Sequence, residues 1–355
     1  MKEEAISIRE RLEKREDELS PLAKKSRRAV RAVSEEKSDV RTEFQRDRDR
    51  IIHSNSFRRL KHKTQVFIAP KGDHYVTRLT HTLEVSQIGR TIARALGLNE
   101  DLVEAMTLGH DIGHTPFGHA GEDVLNELVP GGFSHASQSI RLVEVLEKNG
   151  KGLNLTEETK EGILRHSKPK GDFLNSYEEI SLEAQICRLS DAIAYVNHDV
   201  LDALRSGWIT QQDLPDSTIE ILGASHSERV NTLVTDTIKK SSASLRANHI
   251  TEGIVISMHD ETMNAMYELR DYMFKNVYLP VGKNKETQAG IAIVRNLYNH
   301  YVHDGSEIPG LYRENSDSIE RAAADYVSGM TDNYAILLAE KLFPGLTQDI
   351  FNSLI

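Results

Sequence analysis

Between Leu108 and Glu122 the chain reads LGHDIGHTPFGHAGE, which places His110, Asp111, His114, His119 and Glu122 within one turn-rich stretch that closes an apolar run. Imidazoles titrate near neutral pH and bind borderline divalent metals, while carboxylates suit harder ones, so these types together suit metal binding and proton transfer. A polar turn is the plain alternative. Thr115-Pro116 imposes an extended turn there, and His114 and His119 could simply cap it through backbone hydrogen bonds. With a single cysteine, Cys187, the chain has no cysteine-based zinc cluster and no internal disulfide, so any metal must be held by His, Asp and Glu.

Candidate partners for His110 and Asp111 lie on other helical segments. Residues 78–96 place His81, Val85, Ile88 and Ile92 on one stripe, and Gly97 follows as a natural stop. A lone histidine on an apolar stripe is usually a satisfied core residue. His81 gains weight because a second predicted helix, capped by Asn99 with Leu102, Val103 and Met106 inward, ends in His110-Asp111. A third, roughly Glu178 to Arg205, sets Asp191 between the inward Leu189 and Ile193. A buried aspartate is expensive unless it is paired or ligates a metal. His81, His110, Asp111 and Asp191 therefore make a hard-to-borderline divalent site, with positions left for water and a substrate oxygen. Adjacent His110 and Asp111 would diverge by about 100° on a helix, so the ion must sit near the helix end.

His119 and Glu122 are three apart and share a helix face, where the carboxylate can orient and charge-stabilise the imidazole. Arg78, three residues before His81, is placed to pair with a phosphate, and an ordinary salt bridge is the competing role. Asp191, Tyr195 and Asp199 recur at i, i+4 and i+8 along one side of the long helix.

Helical periodicity also marks HASQSIRLVEVLEKNG, TEETKEGILRH, ETMNAMYELRDYMF, IAIVRNLYNHYV and SIERAAADYVSGMTDNYAILLAEKLF. Only KTQVFIA and HYVTRL would pass as strands, in one short hairpin around Pro70-Lys71-Gly72. The expected fold class is all-α, with an N-terminal arm over 1–56, a helical core over 57–205 and a C-terminal helical region over 206–355 packed on that core. The net charge of -10 hides a basic segment: Pro21 to Lys63 carries fourteen Lys and Arg against six Asp and Glu. That suggests a localised anion site rather than a general nucleic-acid surface, or else a solvated arm. No apolar run approaches a membrane span, and the charged N-terminus does not read as a secretory signal, so the expected location is the cytoplasm.

The order His81 … His110-Asp111 … Asp191 resembles the H…HD…D signature of the HD-domain metal-dependent phosphohydrolases. FRRLKHKTQVF, TRLTHTLEV, GHDIGHTPFGHAGE, SLEAQICRLSDAIAYVNHD and SGMTDNYA are similar to the deoxynucleoside triphosphate triphosphohydrolases, the dGTPase-like branch, from about Arg41 to the end. The resemblance implies an HD-domain helical core and cleavage of a dNTP, with dGTP the candidate for preference, to deoxynucleoside and intact triphosphate. It implies one divalent metal per subunit, Mg²⁺ or Mn²⁺, held by His81, His110, Asp111 and Asp191. His114, His119 and Glu122 would contact the α-phosphate and move protons, and His135 matches a histidine with a catalytic or phosphate role. After that histidine many members carry asparagine, where this chain has Ala136-Ser137. Tyr195 and Asp199 would lie along the sugar and Gln65 near sugar and base. Arg58, Arg59, Lys61 and Lys63 are candidates for the triphosphate tail, and Asp332 reads as structural. Assembly into a homo-oligomer, with a nucleotide effector or single-stranded DNA as further partners, also follows from the resemblance. Two other readings stay open: an HD phosphohydrolase acting on nucleotide monophosphates, cyclic nucleotides or alarmones, and a non-catalytic nucleotide- or single-strand-binding regulator.

Overall fold

A computed structural model of the chain describes residues 6–68, 75–167, 180–246, 255–347 and 350–351. Its described residues are helical, with no strand among them. Where a hairpin was expected, one isolated antiparallel bridge joins Thr64 to Thr77, and the turn itself lies outside the described residues.

Three helices frame the centre: Arg78–Leu96, Glu100–Gly109 and Leu182–Arg205. Local chemistry sets their ends. Thr77 and Thr80 form a capping box, Gly97 closes the first helix in the left-handed region at φ 68°, and the Asn99 side chain caps Leu102 N. Ser181 caps the long helix, so it begins a turn later than Glu178, which lies outside the described residues. Gly89 lets the first two helices cross closely, since a Cβ there would stand 2.8 Å from Val103 Cγ1. Val85, Ile88, Ile92, Val103, Leu189 and Ile193 fill the shared core.

Further along, His135–Arg141 and Glu157–Arg165 pack against one another and flank the same centre. The expected helix through HASQSIRLVEVLEKNG is α-helical only to Arg141. It passes through a π turn at Leu142–Leu146 and then unwinds at Lys148-Asn149-Gly150, all three at positive φ. A second apolar cluster joins Phe117, Val124 and Leu125 to Lys285–His303, Ile319–Ser328 and Asp332–Leu342. The continuous pattern SIERAAADYVSGMTDNYAILLAEKLF breaks into two helices at Gly329-Met330, with Thr331 capping the second.

Many of the basic residues before Lys63 are not solvated. Arg31 is buried against Glu43 and Asp47, and Arg46 and Arg50 both meet Glu35. Among the described residues no helix is long and apolar enough to cross a membrane.

Candidate active site

His81 enters the centre from the first turn of its helix, His110 and Asp111 from just beyond the end of the second, and Asp191 from the middle of the long helix. His81 Nε2 lies 3.1 Å from Asp191 Oδ1, while His110 Nε2 is 3.6 Å from that oxygen and 3.7 Å from Asp111 Oδ1. One ligand atom each from His81, His110 and Asp111 falls within 4.8 Å of the others, and so does the set His110, His166, Asp191.

Hydrogen bonds behind the rings orient their inner nitrogens. His110 Nδ1 donates to Thr107 O at 2.6 Å, which leaves Nε2 pointing inward, buried and without a hydrogen-bond partner. His198 Nδ1 donates to Asp199 Oδ1 at 3.1 Å, so its Nε2 can accept from His81 Nδ1 at 2.7 Å, again turning His81 Nε2 to the centre. This outer support is typical of metal-ligating histidines. The charges point the same way. Burial opposes ionisation of Asp111, yet Arg78 and His110 hold its carboxyl well below the usual range. Asp191, half-buried, is also held down by His110 and His81. Burial also opposes a charge on His110, but Asp111 and Asp191 outweigh it and push its pKa up to about 9. A centre that draws positive charge into a dry space suits a divalent cation.

The second half of the motif turns away from this centre through two successive left-handed residues, Phe117 at φ 61° and Gly118 at φ 59°. Only glycine fits the second position, because a Cβ would stand 2.9 Å from both Arg78 Nη2 and Gln65 O. His119 then opens the Gly118–Leu128 helix with its side chain 58% exposed, Nδ1 lying 3.0 Å from Glu122 Oε2. The other Glu122 oxygen accepts from His135 N at 2.7 Å and from His135 Nδ1 at 2.8 Å. Desolvation works to raise Glu122, but His135 and the His119 hydrogen bond hold it far below the ordinary carboxylate value. His119 rises, because that hydrogen bond and the Glu122 charge outweigh its desolvation. The His114 ring stacks on His135 at 3.9 Å between centroids, and burial keeps His114 strongly disposed to the neutral form.

Other expected residues divide. Arg78 is buried and donates from Nη1 to Asp111 Oδ2 at 2.8 Å, the salt-bridge role, while its Nε has no partner. Gln65 is buried near Gly118 with Oε1 unpartnered. Tyr195 lies 5.6 Å from Tyr278, centroid to centroid. Asp199 is fully buried with both oxygens engaged, by His198 and by Tyr278 OH at 2.7 Å, which sets it behind His81. Lys63 is buried and bonded to the carbonyls of His114 and Ser328, so it does not stand open towards solvent anions, while half-buried Arg59 donates from Nη1 to Gly329 O. Burial, then the neighbouring Arg59, pushes Lys63 down to about 7. Asp332 accepts from Thr64 N and Oγ1 and from Phe117 N, tying the C-terminal helices to the motif's turn.

Three contributors escaped the sequence reading. His166, at the end of TEETKEGILRH, reaches His135 with Nε2 to Nε2 at 3.0 Å. His198 lies seven residues after Asp191, two helical turns along the same face, and that spacing is a signal the i, i+4, i+8 pattern passed over. Tyr278 comes from a distant segment and leaves no local signature.

A model of the HD domain matches residues 78–196, and one of the phosphohydrolase-associated domain matches residues 256–341. The deoxyguanosinetriphosphate triphosphohydrolase-like protein of Caldanaerobacter subterraneus is 50% identical over 94% of this chain and 96% of its own length. The proteins of that name from Clostridium tetani and Clostridium perfringens (strain SM101) are each 47% identical, over 88% and 95% of this chain and 89% and 98% of theirs.

Proposed function

The chain belongs to the HD-domain phosphohydrolases, among those named deoxyguanosinetriphosphate triphosphohydrolase-like, and from that membership we propose that it hydrolyses deoxynucleoside triphosphates, dGTP among them, to deoxynucleoside and inorganic triphosphate. Water would attack the α-phosphorus and the 5′ oxygen of the nucleoside would leave. The observation that carries the reading is Glu122 bridging His119 and His135, one turn of chain from the cation-attracting group.

His81, His110, Asp111 and Asp191 would hold the divalent ion, Mg²⁺ or Mn²⁺. The fit rests on two inward Nε2 atoms, one of them without a hydrogen-bond partner, and on two carboxylates held ionised. Such an ion supplies Lewis-acid activation of water and neutralises charge on phosphate oxygens. The chain's own residues do the rest. Glu122 favours the protonated form of His119, and an exposed imidazolium beside the reacting centre can give its proton to the departing alkoxide. His114 stays neutral in its stack and can hydrogen-bond a phosphate oxygen. Arg78, whose Nε is still free, steadies Asp111 and adds positive charge near the phosphates. Gln65 offers an unpartnered Oε1 to a sugar or base donor, and Tyr195 an aromatic wall against a 2′-hydroxyl.

The test is a panel of four dNTPs and four NTPs, with Mg²⁺, Mn²⁺ or neither, read by product identity. The expected result is tripolyphosphate from dNTPs, and a fall of about a thousand-fold or more in Asp111→Ala, ~4 kcal/mol of transition-state stabilisation. Orthophosphate or pyrophosphate as product, or triphosphate release undiminished in Asp111→Ala, would sink the reading.

A further inference from the structure

The cation-attracting group is set on the three framing helices, whereas the turn from His114 to Gly118 takes its anchors from outside them. At its start, buried Lys63 Nζ donates to His114 O and, at 2.9 Å, to Ser328 O, which ends the Ile319–Ser328 helix. Further along, Phe117 N donates to Asp332 Oδ1 at 3.0 Å. The other Asp332 oxygen accepts from Thr64 N at 3.0 Å and from Thr64 Oγ1 at 2.6 Å, so the neighbours Lys63 and Thr64 reach both ends of the turn. The Phe117 ring completes the hold. A Cβ at Gly290 would stand 2.9 Å from its Cγ, and the ring stacks on Phe351 at 6.4 Å between centroids. Lys63 precedes the HD-domain match over 78–196, and Gly290 and Asp332 lie in the phosphohydrolase-associated match over 256–341.

Burying an ammonium and a carboxylate is costly, and apolar side chains would fill the same space more cheaply. What these two supply is direction. A lysine carries three donors on one atom, and here two of them join a turn carbonyl to a helix C-terminus, whose dipole favours positive charge. Asp332 bonds the N–H of Phe117, a non-glycine residue held at φ 61°, where a side chain is disfavoured without outside support. The turn in turn sets two imidazoles. The His114 ring stacks on His135 with its Nε2 3.3 Å from Asp111 Oδ1, and the His119 ring follows at 5.1 Å from that of His114.

We propose that Lys63 and Asp332 are positioning residues for the reaction: together they clamp the His114–Gly118 turn to the C-terminal helices, and so place His114 and His119 against the phosphate without touching it. The two halves of the site then have separate supports. The HD helices carry the cation group, and the C-terminal region, through this clamp, carries the proton donor. The inference rests on the reaction proposed above in taking His114 and His119 as its working groups.

Full-length Lys63→Met, Asp332→Ala and Asp332→Asn are compared with wild type below their melting transitions. Expected in Lys63→Met and Asp332→Ala is a fall in kcat for dGTP of about a hundred-fold, the cost of misplacing a working group by about 1 Å, with KM and Mn²⁺ affinity unchanged. Asp332→Asn keeps an acceptor for Phe117 N and should recover most of that loss. Hydrogen exchange read by mass spectrometry should quicken across 114–122 in the first two variants and stay unchanged in Arg78–Leu96 and Leu182–Arg205. A folded Lys63→Met with wild-type kcat, or a Mn²⁺ affinity that falls along with kcat, overturns the proposal. If Lys63→Met does not fold, the Asp332 pair decides, and equal kcat in the alanine and asparagine variants overturns it. Should wild type release triphosphate from no dNTP, the reaction proposed above fails, while exchange still decides the clamp: no change across 114–122 in the folded variants overturns it.

Discussion

Around Arg31 the charges close on one another: Nε meets Glu43 at 2.6 Å, Nη1 meets Asp47 at 2.6 Å, and Asp47 also accepts from Thr156 N and Oγ1. Around Asp111 they are held apart. His110 Nε2, His114 Nδ1 and Arg78 Nε are buried without hydrogen-bond partners, and His135 and His166 oppose nitrogen to nitrogen. Both regions bury ionisable side chains against the same helix, Glu100–Gly109, yet one uses them to pin the N-terminal segment and the other leaves them short of partners. A buried charge with its partners in place serves architecture. A convergent group lacking one positive partner is shaped for a ligand.

Breaking the closed network should give the largest effect on folding. Arg31→Ala leaves buried Asp47 without its cation, held only by Thr156, and Glu43 with Arg46 alone, and is expected to cost about 3–5 kcal/mol in urea denaturation, with turnover per folded molecule retained. A loss under about 1 kcal/mol would show that the pairing is incidental. The open group should respond the other way. His119→Ala should lower kcat by about a hundred-fold, ~2.7 kcal/mol, while the exposed position costs stability less than about 0.5 kcal/mol. Because the His119 pKa is raised and its acid form is the active one, wild-type activity should persist above the ordinary histidine pKa of 6.5 and fall as pH rises through the shifted value. That basic limb should vanish in the variant.

His198→Leu removes the acceptor behind His81 without touching the centre, and should weaken Mn²⁺ binding about 10–100-fold. Unchanged affinity would make the Asp199–His198–His81 relay a packing device only. The smallest effect is at Glu35, whose pKa is brought down to about 2 by Arg50 and Asn154 against a partial burial that works to raise it. A lowered carboxylate pKa stabilises above the unfolded value near 4.5, and that contribution is lost as pH falls towards 2. Partial solvation reduces it to about 1 kcal/mol, seen as a shallower acid-induced fall in melting temperature for Glu35→Gln than for wild type.

Much of the site was legible because its residues sit within single helices or one short motif. His81, Asp191 and the pair His110-Asp111 were readable as polar interruptions of apolar stripes, where the penalty for burial is a local signal. His119 and Glu122 were readable from their shared face. His166 and Tyr278 were not, since each is an ordinary polar residue at a helix end or π turn whose partner lies 31 and 79 residues away. Asp199 was placed correctly on the long helix, but its direction depends on His198 and Tyr278 filling the space behind His81. The basic N-terminal run looked like an arm because its carboxylate partners, such as Glu43 and Asp47, read as dilution of charge rather than as pairing.

What the sequence determined by itself is the all-α class, the cap at Asn99 and the helix stop at Gly97, because periodicity and capping act over a few residues. Only the tertiary structure decided which nitrogen of each histidine faces inward. That choice depends on the hydrogen bond at the other nitrogen. Its partners are Thr107 O and Ile163 O one turn away, and His198 and Glu122 on elements that only packing brings together.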